Sequence, residues 1–276
     1  MNSSLLIGLK SLNLPTVRTH LEEVVALAQR ENWGYLEFFS HCVDLELSGR
    51  LERRLERYRT ESNLLQEKTF ATFQLKMYPL AVRSIVSELT SGDFVRHREN
   101  LLIFGLPGTG KTHLVNAIGH ELVQKEIRVY YTQTYRLVGQ LLLAKKNYEL
   151  NKLLHKLDRF QVVICDDIGY VKYSEEEMEV LFNFFSERYE NQSVVITSNL
   201  LFSEWDTIFK NPMTTMAAID RLIHHAHILE LTCESYRAKE AFKKRGLVDE
   251  LFKKKGAEPG KEEPTPNMHK TEGGDT

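Results

Sequence analysis

Cysteine is scarce in this chain. The three present, Cys42, Cys165 and Cys233, are far apart, odd in number and never in a C-x-x-C pair. That excludes a disulfide framework and a thiolate zinc site, and reads as reduced thiols in a cytoplasmic protein. Long apolar runs are missing as well. No stretch approaches the ~20 residues that span a bilayer, so no membrane partner is expected. The first residues, Met1 to Lys10, lack a charged n-region and a long apolar core, and no secretory signal is expected there. An excess of one charge is also lacking, since 36 Lys and Arg face 38 Asp and Glu for a net charge of −2. The balance hides segregation, with basic residues gathered in two places. At 276 residues and 42% hydrophobic, the chain can bury one large core and a small extra domain.

What is present centres on residues 101–112, Leu-Leu-Ile-Phe-Gly-Leu-Pro-Gly-Thr-Gly-Lys-Thr. The apolar run Leu101 to Phe104 reads as a buried strand, breaks into a glycine-rich turn and continues into a helix from His113 to Ile118. Gly105, Gly110, Lys111 and Thr112 fit G-x-x-x-x-G-K-S/T, the loop that cradles nucleotide phosphates. Gly108 and Gly110 let the backbone turn tightly enough to aim N–H groups at phosphate oxygens. The helix adds its positive N-terminal end. Lys111 is expected to reach the β- and γ-phosphates, and Thr112 to place its hydroxyl on Mg²⁺. The run Gly105, Pro107, Gly108, Thr109, Gly110, Lys111, Thr112 and His113 is therefore the candidate ATP site. By chance the four fixed positions arise in about one chain in a hundred of this length; with strand and helix in place, an accidental turn is rejected.

Two further strands complete the pattern. Gln161 to Asp167 is an apolar strand ending in two acids. Asp166 fits the magnesium-binding acid of such a site, and Asp167 falls where a base can polarise the attacking water. Ser193 to Asn199 is a third strand, expected to lie between the other two, with Asn199 beside the γ-phosphate; asparagine is also ordinary at strand ends. Arg221, within Ala218 to Ile223, reads either as a surface arginine paired with Asp220 or another surface acid, or as an arginine finger donated to a neighbour's ATP. Arg237 is a second candidate for sensing the γ-phosphate. The run His224-His225-Ala226-His227 does not read as a metal site, because neighbouring residues on a helix point apart and no Cys or acid stands at ligand spacing.

Residues 1–60 are helical by pattern. Leu5, Leu9, Leu12 and Leu14 precede Pro15, and Val17, Leu21, Val24, Val25 and Ala28 follow at helical spacing. After a break at Asn32-Trp33-Gly34, an amphipathic helix begins at Tyr35 and continues through Arg50, Arg53, Arg54, Arg57 and Arg59. That face suits either i,i+4 pairing with Glu52 and Glu56 or the phosphates of a nucleic acid, and the segment alone leaves both open. Residues 60–92 are a connector, whose Phe70 and Phe73 can form a purine pocket or simply pack on the core. From residue 100 onward strands (101–104, 128–133, 161–165, 193–197, 227–231) alternate with helices (112–123, 135–157 in two pieces, 175–190, 215–225, 234–245), which predicts a parallel sheet covered on both faces. From Gly256 the composition predicts a disordered tail.

Together these residues resemble the AAA+ ATPases of the IstB type, helpers of insertion-sequence transposition that are close to the DnaC helicase loaders. The likeness runs to about Lys239. It rests on Gly105 to Thr112, Asp166-Asp167-Ile168-Gly169-Tyr170, Ile196 to Leu200, Phe202-Ser203-Glu204-Trp205, Asp220 to His227 and Ser235-Tyr236-Arg237. Leu9 to Pro15 and Glu37-Phe38-Phe39 through the arginine-rich helix look like the N-terminal domain of that family. The resemblance implies a small all-α N-terminal domain that binds DNA or a partner (1–66), a three-layer α/β P-loop AAA+ ATPase domain with a parallel sheet (67–255) and a tail (256–276). It implies ATP and Mg²⁺ as cofactors, a homo-oligomer with ATP at its subunit interfaces, assembly on duplex DNA and delivery of the site to a transposase. Lys145, Lys146, Lys152 and Lys156 are the expected DNA face of the core, or else an ordinary solvated surface. The alternative is a DnaC-like loader that binds a replicative helicase; a metabolic phosphate-loop kinase lacks an evident lid. Two departures stand out: the family usually carries Asp-Glu where this chain has Asp166-Asp167, and Leu75 replaces a second connector Phe.

Overall fold

The protein is described from a computed structural model, which covers residues 3–169, 173–201, 204–205 and 219–232. Arg237, Cys233, the helix expected over 234–245 and the tail from Gly256 lie outside the described residues. Three helices come first: α1 (Ser3–Ser11), α2 (Pro15–Glu31) and α3 (Tyr35–Ser62). Proline opens α2 at the position where its missing N–H costs nothing. Asparagines in the left-handed conformation, Asn32 and Asn63, end α2 and α3, as expected where a non-helical turn must reverse the chain.

What joins α2 to α3 is a buried acid. Glu46, 4% exposed, accepts the backbone N–H groups of Thr16 (2.9 Å) and Val17 (3.3 Å) at the open start of α2. Its other oxygen takes Arg50 and Arg53, each at 3.1 Å. An α-helix leaves its first N–H groups unpaired, and a carboxylate there also meets the favourable end of the helix dipole. Burial by itself would raise the Glu46 carboxyl, but the Arg50 hydrogen bond and the Val17 and Thr16 N–H groups outweigh it and hold the group below its ordinary value.

After a connector with a 3-10 turn (Leu75–Met77) come α4 (Leu80–Leu89) and α5 (Asp93–Arg96). The sheet and its helices then alternate: β1 (Asn100–Gly105), α6 (Lys111–Gln124), β2 (Val129–Gln133), α7 (Thr134–Lys146), α8 (Leu150–Leu157), β3 (Val162–Asp166), α9 (Glu175–Arg188), β4 (Ser193–Ser198) and β5 (Ala226–Leu231). All neighbouring strands pair in parallel, in the order β2-β3-β4-β1-β5. The expected place of β4 between the other two motif-bearing strands is observed. Period-two alternation divides the strands between two cores. Leu102, Phe104, Val163, Cys165, Val194 and Ile196 pack under α7, α8 and α9. Leu101, Ile103, Val129, Tyr131, Ile164 and Val195 pack under α4, α5 and α6. The result is the three-layer α/β architecture.

Arg188, at the end of α9, is enclosed among these layers and donates to the carbonyls of Leu157 (3.2 Å), Phe160 (2.9 Å) and Ser193 (3.0 Å). It joins the end of α8 to the start of β4. Burial pulls its guanidinium down to about 10, still charged at neutral pH. Among the described residues, no helix is long and apolar enough to cross a membrane.

The Glu46 clasp has a pH signature. A carboxylate held below its ordinary value of 4.5 stabilises the fold above that pH, and its contribution is lost as pH falls through the lower folded value. Glu46→Gln should lower the thermal unfolding midpoint at pH 7, and the gap to the parent should close as pH drops through the carboxylate range. A gap that stays constant down to pH 3 would mean the charge of Glu46 contributes nothing.

Candidate nucleotide-phosphate site

Three strand ends meet at the C-terminal edge of the sheet: Gly105 on β1, Ser198 on β4 and Asp166 on β3, side by side. Ligands of parallel α/β sheets bind along that edge. The loop after β1 is closed by Thr109, whose N–H and hydroxyl both donate to the Leu106 carbonyl, at 3.3 and 2.8 Å. Gly108 and Gly110 have φ of 86° and 89°, the left-handed region that side chains disfavour. At Gly110 a methyl group would also lie 2.6 Å from the Tyr78 hydroxyl. That hydroxyl supports the loop from below, donating to the Thr109 carbonyl at 2.7 Å. Gly110 is the N-cap of α6, so the helix start and its unpaired N–H groups face the loop. Lys111 is 8% exposed, and its ammonium donates to the carbonyls of Gly105 (2.6 Å) and Leu106 (3.1 Å). Pro107 is exposed on the turn, and Thr112 and His113 follow in the first turn of α6.

The acids stand opposite. Asp166 is buried and accepts the hydroxyls of Thr197 at 2.6 Å and Thr112 at 3.3 Å on one oxygen, and of Tyr131 at 2.8 Å on the other. Its backbone carbonyl takes the Thr134 hydroxyl at 3.0 Å. Burial and then the Asp166 charge push the Tyr131 phenol well above its ordinary range, so it stays a donor. The next residue, Asp167, turns out of the strand with φ of 63°. Asn199, just past β4, has its side-chain oxygen enclosed and without a hydrogen-bond partner. Gly169 makes room for it: a Cβ there would come within 2.4 Å of that oxygen. A buried amide oxygen left unpaired is costly, and this one lies one residue past the end of β4, the strand that neighbours the Asp166 strand.

Residues 7–244 match the protein family described as IstB-like ATP binding protein. The chain belongs to that family. It is 40% identical over 236 residues to an insertion sequence ATP-binding protein of Sinorhizobium fredii, covering 85% of this chain and 79% of the relative. The ATP-binding protein of insertion sequence IS21 from Pseudomonas aeruginosa is 34% identical over 240 residues, 87% of this chain and 90% of that one. Among solved structures, AMPPCP-bound DnaA from Aquifex aeolicus superposes with a TM-score of 0.50 at 20% identity, covering 72% of this chain and 58% of that one. The fold is that of the AAA+ domains, and this IstB-like chain is an ATPase of that class.

The structure places the remaining candidate residues as follows. Phe73 is buried, stacked on Tyr78 at 5.2 Å and 22°, so it packs beneath the loop as part of the core. Phe70 meets it edge-on and Leu75 joins the same cluster. His113 lies 3.1 Å from both the Thr69 carbonyl and the Thr72 hydroxyl. Burial lowers its imidazole, the Thr69 carbonyl opposes this and Lys68 adds to it. Arg221 is exposed and hydrogen-bonded to Ser186 of α9 at 2.5 Å, not held by Asp220. The histidine run is a turn entering β5 rather than a helix, and His227 pairs with Glu99 at 2.8 Å. Lys145 and Lys152 are engaged by Glu179 and Glu149. Arg54 is paired with Glu126, and Arg53 with Glu46.

Tyr78, Tyr131 and Thr197 escaped the sequence reading. For Thr197 the available signal was a hydroxyl-bearing residue in an apolar strand, level with a motif acid on the neighbouring strand; Tyr131 stands two residues before the partner of Asp166 and Tyr78 lies in the connector, where no such pattern exists. The groups present fit a nucleotide and a divalent cation: a helix start with a lysine for phosphates, and a carboxylate and hydroxyl of the oxygen type Mg²⁺ takes. Lys111→Ala should abolish ATP binding in equilibrium titration with a fluorescent analogue. Retained binding at parental affinity would place the nucleotide elsewhere.

Proposed function

We propose that this IstB-like ATPase binds ATP with Mg²⁺, hydrolyses it between subunits of a homo-oligomer assembled on duplex DNA, and assists a transposase in the cytoplasm. One observation carries the reading of the site. The loop lysine, the Thr112–Asp166 pair and the unpaired Asn199 oxygen converge from three adjacent strand ends on the same edge. In this reading Thr112 and Asp166 hold Mg²⁺, which neutralises phosphate charge when bound. Gly105 to His113 enclose the phosphates with backbone N–H groups and Lys111. Asp167 takes the proton of the attacking water, Asn199 orients that water, and Arg221 of one subunit stabilises charge on its neighbour's γ-phosphate. Arg237 is the alternative cation for that task. Residues 1–66 are assigned as a helical DNA- or partner-binding domain, 67–255 as the ATPase domain and 256–276 as a tail. The two sequence relatives, both described as insertion sequence ATP-binding proteins, favour the transposase over a replicative helicase as partner.

Asp167→Asn should leave ATP binding intact and slow turnover by roughly 10²–10⁴, the size of a lost general base; a parental rate would remove Asp167 from the chemistry. Arg221→Ala and Lys111→Ala should each be inactive in hydrolysis. Mixed on DNA they should recover part of the activity, because an intact pocket can then meet an intact arginine. No recovery at any ratio, with both proteins folded and co-assembling, would sink the finger in trans.

Ion pairing redirects the test of DNA contacts. Arg57 stacks on Tyr58 at 5.5 Å, and neither it nor Lys146 nor Lys156 is in an ion pair among the described residues. Neutralising these three should weaken duplex binding and flatten its salt dependence by up to ~0.9 per lost phosphate contact. An unchanged slope would move the DNA face elsewhere.

A further inference from the structure

β4 is apolar from Val194 to Ile196 and then carries Thr197, which is completely buried. Valine would fill that space in a strand equally well, and packing alone gives no reason for a hydroxyl. Both sides of that hydroxyl are used. It donates to Asp166 Oδ1 at 2.6 Å and accepts the backbone N–H of Asp167 at 2.7 Å. The carbonyl of Thr197 takes the N–H of Ile168 at 3.0 Å. The turn that carries Asp167 out of β3 is thus tied to β4 at a single residue. It needs tying, because Asp167 has φ of 63°, a conformation disfavoured for a residue with a Cβ.

We propose that Thr197 is a positioning residue for ATP hydrolysis, one hydroxyl setting the direction of the Asp166 carboxylate and the backbone of Asp167 together. This rests on the reading of Asp166 as the cation-holding acid and Asp167 as the base. Without the hydroxyl, Asp166 Oδ1 keeps only the 3.3 Å contact from Thr112. A carboxylate's terminal torsion is broad, so its direction toward a cation then loosens. The Asp167 N–H loses the Thr197 hydroxyl in the same step, and the turn is left with the Ile168 N–H on the Thr197 carbonyl as its backbone tie to β4. The cation and the base are disturbed by one change, whereas the phosphate loop is untouched.

The test uses the full-length protein with ATP and duplex DNA. Thr197→Val removes only the hydroxyl; Thr197→Ser keeps it. For Thr197→Val we expect kcat to fall at least about tenfold, the scale of a lost hydrogen bond to a charged group, with the KM for ATP little changed. Mn²⁺ binding in the presence of a non-hydrolysable ATP analogue, read by electron paramagnetic resonance, should weaken by a similar factor. Thr197→Ser should restore most of both. A Thr197→Val protein with parental kcat and Mn²⁺ affinity overturns the proposal, as does a Thr197→Ser protein as impaired as the valine variant. If Thr197→Val fails to fold, Thr197→Cys replaces it. Its weak S–H donor should leave it well below Thr197→Ser, and equality of the two overturns the proposal. Asp166→Asn and Asp167→Asn run alongside. Parental Mn²⁺ binding in the first, or parental turnover in the second, would overturn the underlying roles and this one with them. Impaired aspartate variants beside a parental Thr197→Val would overturn the Thr197 role alone.

Discussion

A carboxylate at the end of a buried central strand must be satisfied by fixed donors, because water does not reach it. Asp166 is that group, and much of the architecture follows from meeting its demand. An ion of this size left unpaired in the interior costs several kcal/mol, so each donor needs a fixed place. The hydroxyls come from three directions: Tyr131 from β2 on one side, Thr197 from β4 on the other, and Thr112 from the start of α6. Only a strand order with β3 between β2 and β4 supplies the first two. The pairing of β4 with β3 therefore has a chemical consequence as well as a topological one. It puts a donor beside the acid and, two residues later, the Asn199 amide at the same edge.

The loop that faces Asp166 is supported in the same manner, by aromatic packing and single hydrogen bonds. Tyr78 and Phe73 fill the space that Gly110 leaves, and the Tyr78 hydroxyl takes up the Thr109 carbonyl. Behind them Asn116, one turn along α6, donates to the Thr112 carbonyl at 2.7 Å and accepts the N–H of Leu65 at 2.8 Å. Asn63, which ends α3, donates to the Tyr131 carbonyl at 3.0 Å. The last turn of the N-terminal helices is thereby anchored on the residues that hold Thr112 and Tyr131 in place. These bonds seat the end of α3 beside β2 and α6, the two elements that carry Tyr131 and Thr112.

Sequence reading succeeded where the local signal and the chemistry coincide. Gly105 to Thr112 demanded a strand, a turn and a helix start, and the five strands fell within a residue or two of their observed bounds. It left open what is decided by distant partners. Arg53 and Arg54 offered the same guanidinium to DNA or to an acid. The choice is made by Glu46, which closes α2, and by Glu126, which follows α6. Arg188 lies inside, on three carbonyls that no sequence pattern brings together. Thr197 was hidden for a related reason. A β-branched residue at the end of a strand needs no explanation until the register shows an acid beside it.

The position of Arg221 follows from strand direction. β5 pairs with β1 in parallel, Asn100 opposite Ala226 and Gly105 opposite Leu231. The helical turn before β5 therefore sits at the edge where β1 begins, and Asn100 holds it there by donating to the Leu222 carbonyl at 3.1 Å. The phosphate loop leaves the opposite edge. At about 3.3 Å per residue along β1, the two edges are some ~16 Å apart, well beyond the reach of an arginine side chain pinned to α9 through Ser186. An arginine so placed serves no phosphate of its own subunit. If it acts on ATP at all, it does so from one subunit to the next, and the strand order that builds the pocket is also what turns this cation outward.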